Sequence, residues 1–452
     1  MTVSTPREWW RPEAASWSAD GAPTTAPAAT GPAAADSAVP FWALIAFTAV
    51  MLLAPQNYFP VLATIRLAFL AAGLAIGAYV YDRLRRAQPL MLRAPEIRGV
   101  GYLLAWAVAT IPLGSWPGGS VGVLLDLYSK TLAIFLLIAN TVNTPSRLRI
   151  IIGGLTLMAG PIAFTGVRNF LSGAYIFAGD QASAARIIGY QSALTANPND
   201  LALILNLIIP LSLGLILVTE RPVARALLLA SVGLQMIGVV ITFSRAGFLS
   251  LAVIMGMYVC TLARRPERGW AYAGAILTVA ALPFLPAKYF DRLSTITNIE
   301  ADATGSAQER AAQQAAAVRY VMTHPLVGAG LGMNILAMNE TGGTAAWMNI
   351  HNVYLQYATD LGLPGLALFL LVFLGSLRSA HVVQRRCAAA PEARDLFYLA
   401  TGIKASLLSF AISAFFSPVA YHFQFYYIAG LAVAVKAIHD AAAPAPAPAG
   451  AR

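Results

Sequence analysis

One histidine and three arginines have the side chains best suited to chemistry in this sequence. His351 and the adjacent Asn352 begin "HNVYLQYATDLGLPG", Arg245 lies in "TFSRAGFLS", Arg310 in "GSAQERAAQ" and Arg186 in "RIIGYQS". A neutral imidazole, with a usual pKa of about 6.5, can take a proton from a hydroxyl group, and guanidinium groups bind phosphate oxygens through paired hydrogen bonds. Together these residue types predict group transfer from a phosphate-bearing donor, provided that the fold brings them together.

Each of these residues also has a structural interpretation. An arginine in a tight turn anchors a helix end when its head group reaches water, and an arginine on an amphipathic helix belongs to its polar face. A single histidine at the start of a helix is more often structural than catalytic. The chemical interpretation therefore depends on the elements that carry these residues and on which side of a membrane they lie.

The composition predicts a membrane protein with many spans. Of 452 residues, 58% are hydrophobic and only 11% are charged, far from the balance of soluble domains. The net charge of +10 would suggest nucleic acid as a partner of a soluble domain, but in a membrane protein it records loop orientation. We therefore expect membrane lipids and no nucleic acid among the partners.

Twelve apolar stretches have roughly the length of a membrane span, and they predict an all-α fold with about 12 transmembrane helices. They lie at 41–54, 61–81, 99–114, 121–140, 148–166, 200–219, 223–243, 246–263, 270–287, 352–377, 397–417 and 421–438. The first and third are short enough to be re-entrant segments instead.

The termini and the loops give an orientation. Residues 1–40 and 441–452 are rich in Ala and Pro, and we expect both to be disordered tails. With the N-terminus inside, the inner loops hold sixteen arginines and the outer segments seven basic residues, as the positive-inside rule requires of cytoplasmic termini. Helices 1 to 9 then occupy 41–287, a large outer loop 288–350, and helices 10 to 12 occupy 351–440.

The outer loop is predicted to contain an amphipathic helix on the membrane surface. "SAQERAAQQAAAVRYVM" opens with capping-box spacing, and an apolar stripe then recurs at helical spacing. The members of this stripe are Ala311, Ala315, Val318 and Met322. The glycines and proline of "HPLVGAGLG" end the helix.

This orientation places His351, Arg245, Arg310 and Arg186 on one side of the membrane, which favours the chemical interpretation. Arg66 lies inside the second span and is a candidate ligand contact, since charges within a membrane are usually functional. Asp126 and Lys130, one turn apart in the fourth span, are interpreted either as functional charges or as a self-neutralising pair.

Metal chemistry is not predicted. The acidic residues of the outer face are scattered and have no ligand spacing with His or Cys. A diphosphate leaving group would therefore be neutralised by arginine, without a metal or other cofactor. Cys260 and Cys387 fall in a span and an inner loop, so no disulfide is expected on the outer face.

Four motifs in order resemble those of the O-antigen ligase and polymerase family of bacterial membrane glycosyltransferases. They are "RIIGYQSALTANPNDLAL", "TFSRAG", "GSAQERAAQ" leading to "HPLVGAGLG", and "HNVYLQYATDLGLPG", and the resemblance extends over about residues 41–440. It implies the GT-C-like fold of lipid-sugar-dependent glycosyltransferases, with a large periplasmic loop and a periplasmic active site in the bacterial inner membrane.

The resemblance also implies substrates and roles. The donor is a glycan on undecaprenyl diphosphate, and the acceptor is a sugar hydroxyl of a glycan or a lipid-linked glycan. His351, Arg245 and Arg310 take the places of the essential residues. From the residue types we expect Arg245 and Arg310, with Arg186 and Arg66, to bind the diphosphate. His351 either takes the proton of the acceptor hydroxyl or donates a hydrogen bond to a phosphate oxygen, and the sequence fits both roles equally well. Asn352 is expected to position the ring or a sugar. Polysaccharide export or chain-length proteins are expected as further partners.

Several functions remain open at this stage. Within the family, the chain could act as a ligase, as a polymerase of O-antigen or exopolysaccharide, or as a protein O-oligosaccharyltransferase. A 12-span secondary transporter with Arg66, Asp126 and Lys130 along its pathway is the alternative of another class. A non-catalytic assembly partner of an export machine would need no particular residue at His351 or Arg245.

Overall fold

A computed structural model of the chain describes residues 37–65, 67–176, 186–192, 194–281, 306–341 and 347–442. Within these ranges the chain is almost entirely helical, apart from one antiparallel ribbon of two short strands. The tail expected over residues 1–40 lies outside the described residues up to residue 36, and the first helix begins at Val39. The tail expected at 441–452 lies outside them from residue 443.

The first half of the chain contains eight helices and the ribbon. The helices are α1 (Val39–Leu53), α2 (Pro60–Thr64), α3 (Leu67–Arg85), α4 (Pro95–Thr110), α5 (Pro117–Val123), α6 (Ser129–Thr141), α7 (Pro145–Leu171) and α8 (Pro198–Val218). One turn of π-helix, Leu124–Tyr128, joins α5 to α6 into a continuous helix. The strands β1 (Tyr175–Ile176) and β2 (Arg186–Ile187) lie between α7 and α8.

The second half continues the helical bundle and includes the outer loop. Its helices are α9 (Pro222–Ile241), α10 (Arg245–Leu262), α11 (Arg268–Ala281), α12 (Ser306–Thr323), α13 (Asn334–Thr341), α14 (Val353–Arg386), α15 (Arg394–Ser413) and α16 (Phe423–Ala442). The predicted helix of the outer loop is therefore present as α12, while α13 was not predicted.

Eight helical segments of the described chain are long and apolar enough to cross a membrane. They are Leu67–Arg85, Pro117–Thr141, Pro145–Leu171, Pro198–Val218, Pro222–Ile241, Arg245–Leu262, Val353–Ala389 and Pro391–Ser413. The other predicted spans coincide with α1, α4, α11 and α16. Three of these are shorter, with 15, 16 and 14 described residues, and α16 carries Lys436 and Asp440 near its end. The fold is thus that of a polytopic helical membrane protein, and the count of twelve remains a prediction.

Helix α8 lies at the centre of the bundle. Its apolar window is 94% buried, and it packs closely on α15. Small residues allow this approach, because a Cβ atom at Gly214 or Gly402 would lie 2.7 Å from a backbone oxygen of the facing helix. The Ser406 hydroxyl donates to the Leu207 carbonyl across the same contact at 2.7 Å.

Helix α14 is kinked, and the glycine-rich loop after α12 fills the kink. Gly362 has a φ of 68° within the helix, and Pro364 follows it. The carbonyls of Thr359 and Asp360 accept hydrogen bonds from the N–H groups of Ala329 and Gly330, both at 2.8 Å. Backbone groups that a kink removes from the helical ladder are thereby satisfied. The two motifs "HPLVGAGLG" and "ATDLGLPG" are therefore one packed unit.

Contacts group the loops at two opposite ends of the bundle. At one end, Arg394 pairs with Glu267 at 2.9 Å, and Arg149 pairs with Asp395. At the other end, the Ser115 N–H donates to the Ala329 carbonyl at 2.8 Å. The first set belongs to loops predicted as inner and the second to segments predicted as outer. The side of the membrane that each end faces remains a prediction.

Helix α12 packs through a face other than the predicted apolar stripe. Its buried residues are Gln313, Ala316, Ala317 and Tyr320, which pack near α13 and α14. The predicted stripe of Ala311, Ala315, Val318 and Met322 lies on the exposed face, where Met322 is 76% exposed. The sequence pattern predicted the apolar stripe of this helix. It could not show that a different face, made of alanines, a tyrosine and a polar glutamine, packs against the rest of the protein.

Candidate active site

Three arginines from distant parts of the chain line one open pocket. Arg186 comes from β2, Arg245 from the start of α10 and Arg310 from α12, and the pocket holds about 440 Å³ of empty space, part of it open to solvent. Asn199, Phe243, Ser244, Ala246, Gly247, Phe416 and Ser417 are among the other lining residues. Three guanidinium groups around one cavity make it suited to an anion with several oxygens.

Arg245 is held by the tight turn between α9 and α10. The Ser244 hydroxyl accepts from the Gly247 N–H at 3.2 Å and caps α10, and Phe243 before it has a φ of 50°. A Cβ atom on Gly247 would lie 2.8 Å from the Ala202 side chain, so only glycine allows this approach to α8. The turn directs the N-terminus of α10, which carries partial positive charge, towards the pocket beside Arg245.

Arg186 is fixed between the ribbon, α8 and the α9–α10 turn. Its Nη2 donates to Asn199 Oδ1 at 2.9 Å and to the Thr242 carbonyl at 3.1 Å. The Asp200 carboxylate also interacts electrostatically with Arg186. Asn197 caps α8 by accepting from the Asn199 N–H at 2.8 Å, and this cap sets the direction of the first helical turn.

His351 lies in the loop before α14, with contacts to α12. Its Nδ1 is 3.0 Å from the Asn349 carbonyl oxygen and 3.1 Å from Gln313 Oε1. Burial lowers the pKa of His351 below its usual value, and the nearby charge of Arg310 lowers it further, while the contact with the Asn349 carbonyl acts in the opposite direction. The imidazole is therefore neutral at neutral pH, as a proton acceptor must be.

Arg310 links His351 to the pocket. His351 is not a lining residue of the cavity, but Arg310 lines it and its charge acts on the imidazole. Gln313 lies one helical turn beyond Arg310 on α12. One helix therefore carries both a pocket arginine and a side chain that contacts the histidine.

Asn352 is the N-cap of α14. Its Oδ1 accepts from the N–H groups of Tyr354 and Leu355 at 3.0 and 3.1 Å, and the residue is 6% exposed. The Asn352 oxygen thus holds the helix start, whereas the His351 ring contacts Gln313 and Asn349. The predicted role of Asn352 in positioning a substrate remains a prediction.

Polar contacts fix the loop that carries His351. Gln356 donates from Nε2 to Asn349 Oδ1 at 3.2 Å and accepts from the Ala420 N–H, also at 3.2 Å. The Ile350 N–H donates to Asn334 Oδ1 at 3.3 Å, and Asn334 in turn donates to the buried Asp360 at 3.4 Å. The loop is therefore attached to α13, to α14 and to the segment before α16.

The charges predicted inside the spans have different positions. Arg66 lies outside the described residues. Asp126 and Lys130 are both exposed on the surface of the bundle, on either side of the end of the π-helical turn. They do not line the arginine pocket, and no ion pair joins them within the described part of the chain.

The site has no visible set of metal ligands. Among the residues that the structure describes, no three His, Cys, Asp or Glu side chains lie close enough together to hold a metal ion. Within the described part of the chain, the cations that line the pocket are the three arginines.

Sequence reasoning missed Asn199, Gln313 and Gln356 as parts of the site. A signal was present for two of them, because Asn199 follows the Asn-Pro start of α8 and Gln313 is spaced three residues after Arg310 on a predicted helix. Nothing in the sequence indicated Gln356, whose contacts cross from α14 to residues 349 and 420.

Residues 226–370 match the family model described as O-Antigen ligase. This range contains Arg245, Arg310 and His351, while Arg186 precedes it. The comparison with curated proteins gives no match. The match contains three of the four motifs that carry the resemblance and, with the helical fold, supports a multi-pass membrane protein with an O-antigen ligase domain over these residues.

Proposed function

We propose that this chain, which carries an O-antigen ligase domain, is an inverting, metal-independent glycosyltransferase. The donor is a glycan on undecaprenyl diphosphate, and the acceptor is a sugar hydroxyl at the periplasmic face of the bacterial inner membrane. Both termini are cytoplasmic in this proposal. The acceptor belongs to a growing O-antigen or exopolysaccharide, or to a lipid-linked core glycan.

The convergence of Arg186, Arg245 and Arg310 on one pocket carries this proposal. These residues are far apart in sequence, so their convergence is a property of the fold. A diphosphate that leaves a sugar gains negative charge in the transition state, and guanidinium groups already in place stabilise that charge. The N-terminus of α10 adds a further positive end beside Arg245.

The transfer step needs a proton acceptor for the attacking hydroxyl. As the acceptor oxygen forms its bond to the anomeric carbon, the bond between that carbon and the phosphate oxygen breaks, and its electron pair stays with the diphosphate. The hydroxyl proton moves to His351, which is neutral because burial and Arg310 lower its pKa. In-line attack from the face opposite the diphosphate inverts the anomeric centre.

The positions of Asp126 and Lys130 favour transfer over transport. A transporter pathway would place ionisable residues inside the bundle, whereas these two are exposed on its surface. The arginine pocket instead opens where segments predicted as outer meet. Such a position suits a polyprenyl lipid that presents its head group at the membrane surface.

The test is transfer by purified protein with native lipid-linked glycan in the presence of EDTA. We expect His351→Ala to lower the rate by about 100-fold or more, the usual range for loss of a general base. We expect Arg245→Ala and Arg310→Ala to lower it comparably, because each removes a charge from the developing diphosphate.

Matched controls separate these losses from misfolding. Arg319→Ala removes an exposed charge from the same helix as Arg310, and His439→Ala removes an imidazole that pairs with Asp440 far along α16. Both should retain transfer at equal amounts of folded protein. Normal transfer by His351→Ala and Arg245→Ala would contradict the proposed site, and loss of wild-type activity in EDTA would contradict metal independence.

A further inference from the structure

Gln313 is a buried polar side chain that contacts the candidate base. It is 3% exposed, and its Oε1 lies 3.1 Å from His351 Nδ1. Its Nε2 donates to the Met348 sulfur at 3.4 Å. The amide therefore connects α12 to the loop that carries His351 at two points.

The contacts of His351 determine which ring nitrogen carries the proton. The Asn349 carbonyl oxygen, 3.0 Å from Nδ1, can only accept a hydrogen bond, so Nδ1 is the protonated nitrogen. The amide orientation of Gln313 follows, because an NH₂ group directed at Nδ1–H would place two donors against each other. Nε2 then carries the lone pair of the neutral ring.

We propose that Gln313 is a positioning residue that holds the His351 ring with Nδ1 protonated and leaves Nε2 as the nitrogen that accepts the proton of the acceptor hydroxyl. This inference rests on the proposed function only for the role of Nε2. A base is efficient when a neighbouring group fixes its tautomer and orientation, as hydrogen-bond acceptors on the other ring nitrogen do for catalytic and metal-binding histidines.

The position of Gln313 on α12 also relates the base to the donor pocket. Arg310 lies one turn earlier on the same helix, and it is the charged group whose field acts on His351. A shift of α12 would therefore displace the pocket arginine and the ring contact together. The position of α12 therefore couples the position of Arg310 in the donor pocket to the orientation of the His351 ring.

The experiment measures the protonation midpoint of His351 by NMR of ring-labelled histidine. His351→Ala identifies its signal among the 5 histidines. Gln313→Glu keeps the shape of the side chain and places a carboxylate on Nδ1–H, so the midpoint should rise by about one pH unit. The pH at which the transfer rate falls on the acid side should increase by the same amount, because transfer requires the neutral ring.

The matched control is Gln314→Glu, which makes the same charge change at the adjacent position of α12. Gln314 is half-buried, and no hydrogen bond joins it to the imidazole among the described residues. We expect a much smaller shift of the His351 midpoint. Equal shifts in both variants, or none in Gln313→Glu, would overturn the positioning role.

Two neutral variants keep the proposal testable if the new charge prevents folding. Gln313→Asn withdraws the amide and Gln313→Leu removes it, so both should lower transfer by about tenfold without raising the midpoint. At a pH above the His351 midpoint of Gln313→Glu, the transfer rate of this variant should exceed the rates of the Asn and Leu variants. Wild-type rates in the Asn and Leu variants would contradict the proposal.

The two readouts separate this inference from the proposed function. If the His351 midpoint rises in Gln313→Glu but the wild type shows no transfer, the contact between Gln313 and the ring is supported and the proposed glycosyltransferase activity is contradicted. Normal wild-type transfer with an unchanged midpoint would support the glycosyltransferase and contradict the role of Gln313.

Discussion

Arg186 Nη2 donates to Asn199 Oδ1 at 2.9 Å, and this hydrogen bond joins the strand ribbon to the first turn of α8. The bond directs a pocket arginine that otherwise belongs to a short two-residue strand. We expect Asn199→Leu to weaken donor use by about tenfold, the cost of one hydrogen bond to a charged group. The KM for lipid-linked glycan, measured at constant ionic strength, checks this expectation.

The control for this prediction is the neighbouring cap residue. Asn197→Ser retains a side-chain oxygen at the N-cap of α8 and should leave the KM nearly unchanged. An unchanged KM in Asn199→Leu would show that Arg186 does not depend on this bond for donor binding.

The pH dependence of transfer should extend to lower pH than an ordinary histidine allows. Burial and Arg310 lower the pKa of His351 in the folded protein, so the ring stays neutral below its usual titration point of about 6.5. We therefore expect the acid decline of the rate to have its midpoint below about pH 6.5, with the full rate retained at about pH 7.5 to 8. Initial rates in buffers of constant ionic strength measure this profile.

The lowered pKa of His351 also predicts that the free energy of unfolding decreases as the pH falls below about 6.5. The folded state binds a proton at His351 less readily than the unfolded chain, so the contribution of His351 is full above about pH 6.5 and decreases below it towards the lowered folded pKa. An acid limb of transfer above about pH 7 would contradict His351 as the proton acceptor.

The kink of α14 should tolerate no side chain at Gly362. A Cβ atom there would lie 2.2 Å from the Leu326 carbonyl oxygen, and the φ of 68° is itself unfavourable for alanine. We expect Gly362→Ala to lower the free energy of unfolding by about 2 kcal/mol or more and to lower transfer, since the loop against the kink supports the site.

A glycine elsewhere provides the comparison. Gly77 lies inside α3, and a Cβ atom there would meet nothing within 4 Å, so Gly77→Ala should be neutral or slightly stabilising. Thermal unfolding in one detergent measures both variants. Equal melting temperatures for Gly362→Ala and the wild type would refute the close packing of the kink.

Glu267 should stabilise the end of the bundle opposite to the pocket. Burial alone would raise the pKa of Glu267, but hydrogen bonds from Tyr398 and Arg394 outweigh it and lower the pKa. The folded state therefore favours the carboxylate, and this contribution is lost as pH falls through the lowered pKa, below the usual value of about 4.3.

Glu267→Gln tests this contribution. Since Arg394 is partly exposed, we expect a loss of only about 1 kcal/mol at pH 7, with no effect on the pH profile of transfer. Glu392→Gln, at an exposed position two residues before Arg394, should change neither the free energy of unfolding nor the pH profile of transfer. Equal melting temperatures of the Glu267 and Glu392 variants would contradict the stabilising role.

Local sequence signals found the helices more reliably than their packing. The apolar residues and the capping-box spacing of "SAQE" are local features, so a helix could be predicted where α12 is found. Its packed face could not be predicted, because alanines and Gln313 are buried by neighbours that the sequence does not place beside them. The kink at Gly362 likewise depends on a loop more than thirty residues earlier in the chain.

The sequence by itself determined the helical membrane class, the family resemblance and the choice of His351, Arg245, Arg310 and Arg186 as candidates. These conclusions follow from composition, charge distribution and short motifs, which need no knowledge of contacts. Only the tertiary structure decided that the three arginines share one pocket, that Gln313 contacts His351, and that Asn199 directs Arg186. Such relationships join residues that are distant in the chain, and the packing of helices determines them because hydrogen bonds and charges act over a few ångströms of space.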